Sequence, residues 1–476
     1  MRIVMLTDDI QVDRRILLEA ESLHREGHEI ILLAEHAEGC RDFERLGNVK
    51  VERLRASGPS REELVVLKAL NFVNRGIGFF SSLVQRGLSS LSRLSSAFFS
   101  LIIQAIQRIV GLFSSVVQTG LSLLSRISSV FFSLLIRANQ RISVFFLRAI
   151  RHAKRLPPRE QTMVERIVFY RADVIHAHDL PQLRAGAVAK KLLKVPLIYD
   201  AHELYPEIGT LTSDQKRALS RRERRYVRCA DAVITVNKYI AEEMKKRYSI
   251  DLPHVILNAT NWPTEPRLRE HADRFREKFH IPLDHRIVLF QGWMSSQRGL
   301  QPMVKAMRML PAEFHLVFMG YGEGRDELIR IAHEEGLTSR VHFMDAVPQS
   351  ELLNWTSSAD VGVIPYQPID LNNYYCSPNK LFEFIQAELP IIANDLPFLR
   401  DVVMGEGFGL VHRLEEPSDY AAAVSRMFDG DTLTRCKGQL RSRSSEYSWD
   451  KEEKILIEVY SKLSIREDAS PALQAP

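Results

Sequence analysis

Short apolar runs and longer amphipathic stretches alternate along most of the chain. Residues 2–6, 28–34 ("HEIILLA"), 172–177 ("ADVIHA"), 195–200 ("VPLIYD") and 231–236 ("DAVITV") read as buried strands. Residues 13–26 and 182–193 carry helical spacing, and a further helix follows 236. A polar, Pro-containing stretch, "NATNWPTEP" at 258–266, separates this series from a second one. The second runs through "RIVLFQG" (286–292), "FHLVFMG" (314–320), "VHFMD" (341–345), "DVGVIPY" (360–366) and "PIIAND" (390–395). Strand–helix alternation of this kind predicts α/β architecture with parallel, doubly wound sheets. At 476 residues the chain exceeds one ordinary domain. Two such domains in tandem turn the carboxyl ends of their strands toward a shared cleft, where ligands bind in this architecture. The expected boundaries are 1–258 and 267–440, then helices over 441–466 returning to the first domain and a disordered tail, 467–476.

One segment breaks the pattern. Residues 75–107 and 108–140 share 22 identities in 33 positions. Thirty-three is three elevens, and eleven residues make almost three helical turns. In steps of eleven, Phe80, Leu91, Ile102, Phe113, Leu124, Leu135 and Phe146 form one apolar row, and Gln85, Ser96, Gln107, Gln118, Ser129 and Gln140 an opposing polar one. Arginines flank the polar row. Residues 64–159 contain 13 Lys/Arg and no Asp or Glu, leaving −8 for the rest of a chain whose total is +5. A strong apolar stripe opposite basic residues suits a helix lying in a membrane surface. Two other readings compete: a spanning helix and a hairpin packed on protein. The longest uncharged run, Ile109–Ser125, falls short of the roughly 20 residues a span needs. Gly78, Gly87, Gly111 and Gly120 argue for several helical pieces rather than one rod. Basic residues interleaved with Phe and Leu at helical spacing fit lipid better than nucleic acid, which is not expected as a partner.

The four cysteines, Cys40, Cys229, Cys376 and Cys436, have no CxxC spacing, which argues against a disulfide framework or zinc site and fits a reducing cytosol. The opening "MRIVMLTDD" reads as a first strand rather than a signal peptide. "DGD" at 429–431 is placed as a turn between helices, not a metal-binding pair.

Particular motifs then carry a resemblance. The first half contains "DRRILLEAESLHREGHEIILLA", "ADVIHAHDLPQL", "LIYDAHELYPE" and "CADAVITVNKYIAEEM". The second contains "FQGWMSSQRGLQPMVKAM", "FMGYGEGRDEL", "ADVGVIPY" and "SPNKLFEFIQAELPIIAND". In this order they resemble the retaining GT-B glycosyltransferases of family 4, over nearly everything except about 60–158. The resemblance implies transfer of a sugar from a nucleotide-sugar donor with retained anomeric configuration, no cofactor and no catalytic metal.

In "SPNKLFEFI", Ser377 is an expected N-cap with Pro378 at the first helical position, and the helix start can hold a diphosphate. Glu383 matches the family glutamate that contacts the donor. Another glutamate usual eight residues earlier is Tyr375 here, so Asn379 or Lys380 is the expected substitute. Arg298 matches a basic residue against the diphosphate, whereas a second family arginine is replaced by Trp293. Gly320, in "GYGEG", matches the turn near the nucleotide. His202, in "YDAHE", matches an active-site histidine, assigned with Glu383 to catalysis. His178, Asp179 and Asp9 are acceptor-side candidates, though the loop "TDDIQVD" lacks the glycines usual in relatives. These features imply a cytoplasmic enzyme, peripheral on the inner face of an anionic membrane and acting on a lipid-linked or membrane-proximal glycan in surface polysaccharide or glycolipid synthesis. A non-catalytic GT-B subunit and a nucleotide-sugar epimerase are the alternatives.

Overall fold

The computed structural model describes residues 1–55, 156–261 and 273–468. The eleven-residue rows therefore lie outside the described residues, as do most of the 64–158 insert, part of the 258–266 stretch and most of the 467–476 tail. The chain divides into one compact unit, Met1–Arg53 with Tyr170–Pro476, and a second, Leu54–Phe169. Within the second, helix α2 (Pro158–Tyr170) buries Met163, Val164, Ile167 and Val168.

The first unit contains two lobes. The N-terminal lobe runs β1 (Arg2–Leu6), α1 (Arg14–Arg25), β2 (Glu29–Glu35), β3 (Phe43–Leu46), β4 (Val49–Leu54), β5 (Val174–His178), α3 (Asp179–Leu193), β6 (Leu197–Ala201), α4 (Ser213–Tyr226), β7 (Ala232–Thr235), α5 (Lys238–Tyr248) and β8 (His254–Val255). Its eight-stranded sheet has the order β3-β4-β2-β1-β5-β6-β7-β8. The β1–β2, β1–β5, β5–β6, β6–β7 and β7–β8 pairs are parallel. The sequence pattern does not reveal the antiparallel β3–β4 hairpin at the edge, because "FERL" is half exposed and lacks a continuous apolar run. Helix α3 also starts earlier than its apolar spacing indicates: it begins at Asp179, held at φ +60°, immediately beyond β5.

The C-terminal lobe runs α6 (Arg274–Phe279), β9 (Arg286–Trp293), α7 (Leu300–Ala306), β10 (Phe314–Tyr321), α8 (Arg325–Glu334), β11 (Val341–Met344), α9 (Gln349–Thr356), β12 (Val361–Ile364), α10 (Leu371–Tyr374), α11 (Asn379–Gln386), β13 (Ile391–Asn394), α12 (Pro397–Leu399), β14 (Gly409–His412), α13 (Pro417–Phe428) and α14 (Thr432–Arg443). Its six strands have the order β11-β10-β9-β12-β13-β14, and every pair is parallel. Apolar clusters cover both faces, as a doubly wound sheet requires. The "DGD" residues form the turn between α13 and α14, with Gly430 at φ +58°.

Helix α15 (Trp449–Asp468) then returns to the N-terminal lobe, where Trp449, Leu456, Val459, Tyr460 and Leu463 join the core of α1, β1 and β2. The Trp449 indole is fully buried and donates to Ser22 Oγ at 2.8 Å. Both sheets reverse strand order beside their first strand, between β1 and β5 in one and between β9 and β12 in the other. Ligand sites in such sheets lie at the carboxyl ends beside these switch points.

Candidate active site

At the C-terminal lobe's switch point, β9 and β10 end side by side, with Gly292 opposite Gly320. A Cβ on Gly320, at φ +150°, would lie 2.1 Å from the Gly292 carbonyl oxygen, so only glycine allows this approach. The chain leaving β9 makes a 3-10 turn, Ser296–Arg298. The Arg298 guanidinium lies 3.6 Å above the Tyr366 ring and donates to Asn373 Oδ1 at 3.1 Å. Lys380 is buried, its Nζ 3.9 Å over the Phe290 ring and 5.2 Å from that of Tyr366. Among the described residues no carboxylate pairs with it. Burial, reinforced by the nearby Arg298 charge, pushes the Lys380 ammonium down to about 7. Burial pushes the Tyr366 phenol and the Cys376 thiol up to about 12, so neither supplies a counter-ion at neutral pH.

Helix α11 starts one residue later than its sequence implies. Pro378 is the N-cap, with φ −73° and ψ 140°, so Ser377 lies outside the helix. An extended proline cannot be the first helical residue, and Ser377 Oγ is left buried without a hydrogen-bond partner. Leu381 N–H reaches the Pro378 carbonyl at 3.0 Å. The Asn379 and Lys380 amides, one position earlier, remain at the open positive end of the helix. Glu383, one turn in, is buried rather than solvated. It accepts from Gln291 Nε2 at 2.6 Å and from Arg14 Nη1 at 2.8 Å. Tyr375 turns away from this cradle and stacks on Tyr239 of α5, with centroids 5.7 Å apart.

In the N-terminal lobe, β5 and β6 deliver His178, Asp179, Asp200 and His202 to one place. The Arg15 guanidinium of α1 grips both Asp200 oxygens at 2.9 Å and bonds Glu19 at 2.8 Å, all fully buried. The His202 imidazole sits between two carboxylates: Nε2 is 3.4 Å from Asp200 and Nδ1 is 3.7 Å from Asp179. His178 Nδ1 is 3.2 Å from His202 Nε2. Burial opposes charge on His202, but Asp179 and Asp200 outweigh it and lift the imidazolium to about 10. Burial, with the neighbouring histidines, drives His178 the opposite way, well below its ordinary value. Burial also lifts Asp179 to about 8, while Arg15 and His202 hold Asp200 ionised against its own burial. Asp179 Oδ1 accepts the His202 amide at 2.9 Å. Its left-handed backbone is strain of the kind that concentrates at functional sites. Asp9 stands in the β1–α1 loop, where its carboxylate accepts the Asp13 amide at 3.1 Å and burial raises its pKa.

Glu19, His176, His178 and Asp200 offer ligand atoms that all lie within 4.8 Å of one another. Both carboxylates already hold Arg15, so a guanidinium supplies the positive charge a metal would bring.

The segment 372–383 is stitched to the N-terminal lobe. Asn372 accepts the Leu204 amide at 3.0 Å and donates to Glu203 at 2.8 Å. The Tyr375 carbonyl accepts from Asn237 at 2.7 Å and the Ser377 carbonyl from Asn258 at 2.8 Å. Asn379 donates to Asp13 at 3.3 Å, and Arg14 closes on Glu383. Sequence reasoning missed Arg14, Arg15, Asp200, Asn237 and Asn258. Arg15 carries the one detectable signal, a cation spaced on α1 among buried apolar positions.

Two Rossmann-like lobes with their strand ends across one cleft, and a C-terminal helix returned to the first lobe, define a GT-B glycosyltransferase. Residues 126–261 match the model for glycosyltransferase family 4 and residues 285–429 that for glycosyl transferases group 1. The chain belongs to this family. It is 27% identical over 322 residues to a D-inositol 3-phosphate glycosyltransferase of Xylanimonas cellulosilytica, covering 62% of this chain and 73% of that one. An uncharacterised glycosyltransferase of Methanocaldococcus jannaschii is 27% identical over 299 residues, covering 60% and 75%. Among solved structures, sucrose-phosphate synthase of Thermosynechococcus elongatus superposes with TM-score 0.63 at 17% identity, over 98% of this chain and 99% of that one. Anabaena HepE in complex with UDP-glucose superposes with TM-score 0.62 at 13% identity, over 97% and 100%. Among the described residues no helix is long and apolar enough to cross a membrane.

Proposed function

We propose that this enzyme is a retaining, metal-independent glycosyltransferase that moves a sugar from a nucleoside-diphosphate sugar to a lipid-linked or membrane-proximal glycan. The carrying observation is Lys380: a buried lysine on an aromatic face, beside Arg298 and the open end of α11, with no carboxylate in ion-pair contact among the described residues and with Glu383 favouring its charge too weakly to offset burial and Arg298. A diphosphate supplies the missing charge. Two side-chain cations and a helix end then take the place of Mg²⁺ in stabilising the leaving group. Gly320 and Gly292 let the backbone approach the nucleotide, and Glu383 and Asn379 face the donor. His202, beside the ionised Asp200 and within reach of Asp179, is a hydrogen-bond donor and a positive charge rather than a base. Deprotonation of the acceptor then falls to the departing phosphate on the same face of the sugar, which retains configuration. His178, Asp179 and Asp9 line the acceptor side. HepE was solved with UDP-glucose, which makes uridine donors the first to try.

The greasy, acid-free segment at 64–158 supports work at the cytoplasmic membrane face, in surface polysaccharide or glycolipid synthesis. Thermal shift against nucleoside diphosphates and their sugars, with and without EDTA, tests the donor assignment. Stabilisation by one diphosphate that survives EDTA supports it, and stabilisation that requires Mg²⁺ sinks it. Turnover of the stabilising donor with product analysis then separates transfer from epimerisation and from a non-catalytic role.

A further inference from the structure

Helix α4 carries an exposed face that the donor and acceptor sites do not use. Arg217, Arg221, Arg224 and Arg228 recur at steps of four, three and four, so they form one stripe, continued past the helix end by a 3-10 turn at Val227–Cys229. Arg225 lies beside the stripe, and all five are exposed. The adjoining face, Glu223 and Val227, is buried; Glu223 accepts from the Tyr199 and Tyr248 hydroxyls and is spent inside the lobe. Among the described residues the stripe's only acidic partner is Asp214, paired with Arg217. Arg221 and Arg228 reach backbone carbonyls, Arg225 lies on the Tyr226 ring, and Arg224 has no partner among the described residues. A solvated helix face normally interleaves both signs, because like charges at three and four residues repel. Five arginines of one sign destabilise the free helix and call for a polyanionic surface.

Helix α4 itself stands next to the site. Lys216 of α4 donates to the Glu207 carbonyl at 3.1 Å, in the 3-10 turn Tyr205–Glu207 that follows His202. That turn abuts α10, whose Asn372 and Asn373 contact Glu203 and Arg298.

We infer that the arginine stripe of α4 docks on anionic lipid headgroups and so presents the His202 side of the cleft to the membrane. This rests on the membrane-proximal acceptor proposed above. Charge complementarity favours lipid over nucleic acid: the same chain carries 13 basic residues and no acid across 64–159, interleaved with Phe and Leu. Each arginine near an anionic surface changes partition roughly fivefold.

The exposed thiol of Cys229 lies at the end of the stripe and serves as a reporter. The full chain, with Cys40 and Cys376 changed to Ser, is labelled there with a fluorophore and mixed with vesicles carrying a headgroup quencher. Vesicles of roughly one-third phosphatidylserine in phosphatidylcholine are compared with pure phosphatidylcholine. Local quenching is the readout because the basic insert contributes to overall flotation. Quenching by the anionic vesicles alone is expected, weakening with salt. It should fall at least tenfold in R217Q/R221Q/R224Q/R225Q, whose circular dichroism and UDP thermal shift should match the parent. Protein that floats without quenching overturns the proposal, as does quenching that survives the four substitutions or protein that fails to bind vesicles. Duplex RNA bound more tightly than vesicles, and lost in the same variant, assigns the stripe to nucleic acid instead. None of these readouts depends on turnover, so failure here leaves the donor assignment standing.

Discussion

Replacing Lys380 by methionine should make the empty enzyme more stable while abolishing donor binding. The ammonium is lowered from 10.5 to about 7 by burial and by Arg298. Every tenfold change in proton affinity is worth about 1.4 kcal/mol, so the charged form costs the empty fold about 4 kcal/mol at pH 7. Methionine keeps the contact with Phe290 but loses a cation–π interaction worth about 1–2 kcal/mol. The net expectation is about 2–3 kcal/mol of stabilisation. The sign follows from proton counting: between pH 7 and 10.5 the unfolded lysine holds a proton the folded one has released. Stability therefore rises with pH through that window and is lowest below it. The wild type should gain stability from pH 7 to 9, and Lys380→Met should lack that increment. A bound diphosphate reverses the situation, because it restores the ammonium. At pH 7.5 donor binding should then take up about 0.8 proton, and at pH 6 about 0.1. Titration calorimetry of UDP in buffers of different ionisation heat counts that proton, and chemical denaturation at pH 7 and 9 measures the stability. No proton uptake at pH 7.5, or a Lys380→Met variant less stable than the parent at pH 7, would refute the reading of Lys380 as an unneutralised cation awaiting phosphate.

Arg298→Ala and Glu383→Ala should each cost about 1.5–3 kcal/mol in donor affinity, the worth of a hydrogen bond to a charged group, with the fold intact by circular dichroism; normal affinity in both would remove them from the site. Asp200→Asn leaves the buried Arg15 with Glu19 as its one remaining carboxylate among the described residues and should destabilise the protein by about 3 kcal/mol. It should also lower His202 from about 10 toward its ordinary value, visible as a shifted NMR titration; an unmoved His202 titration refutes the positioning role. In the C-terminal lobe His285, His315 and His342 form a hydrogen-bonded ladder at 2.8 and 3.0 Å, and burial lowers His315 and His342 to about 4. Their contribution is complete above pH 6.5 and is lost as pH falls toward 4, because the unfolded imidazoles gain protons first. After a discount for solvent at the ladder's ends, the expected loss is about 2–3 kcal/mol. His315→Gln should flatten the urea midpoint between pH 7 and 5.

The strands that are buried on both faces were legible because each is a continuous apolar run ended by a polar turn; "RIVML" and "RIVLFQG" are β1 and β9 within a residue or two. The β3–β4 hairpin was not, because an edge hairpin half open to water leaves little apolar signal. At the site, residues adjacent in sequence to a quotable motif were visible, and Lys380, Arg298, Glu383 and His202 stand out from that context. Their partners do not. Arg14 and Glu383 stand 369 positions apart, and Asn258 and Ser377 are 119 apart. Nothing in a linear sequence links a polar residue to a carbonyl in the other lobe. The helix start at 378 slipped because serine and proline each make a good first-turn residue, and only the observed ψ of 140° decides between them.

Those long-range partners also indicate how the two lobes communicate. The proposed donor cradle and the stitches are the same stretch of chain. Asn372, Tyr375, Ser377, Asn379 and Glu383 each bond the N-terminal lobe, while Lys380 and the helix amides between them belong to the proposed diphosphate cradle. The two accepting carbonyls are main-chain groups, so these contacts hold the backbone and not merely side chains. A change in the angle between the lobes must therefore move α11 or break the stitches. Glu383 is the point where the alternatives meet, because Arg14 from α1 and Gln291 from β9 occupy one oxygen each. A donor hydroxyl that reaches Glu383 shares the carboxylate with a cation from the opposite lobe. On the proposed donor assignment, donor occupancy and lobe position would be coupled at Glu383 as well as through the backbone stitches, and a buried, doubly bonded carboxylate has the acceptor capacity for both.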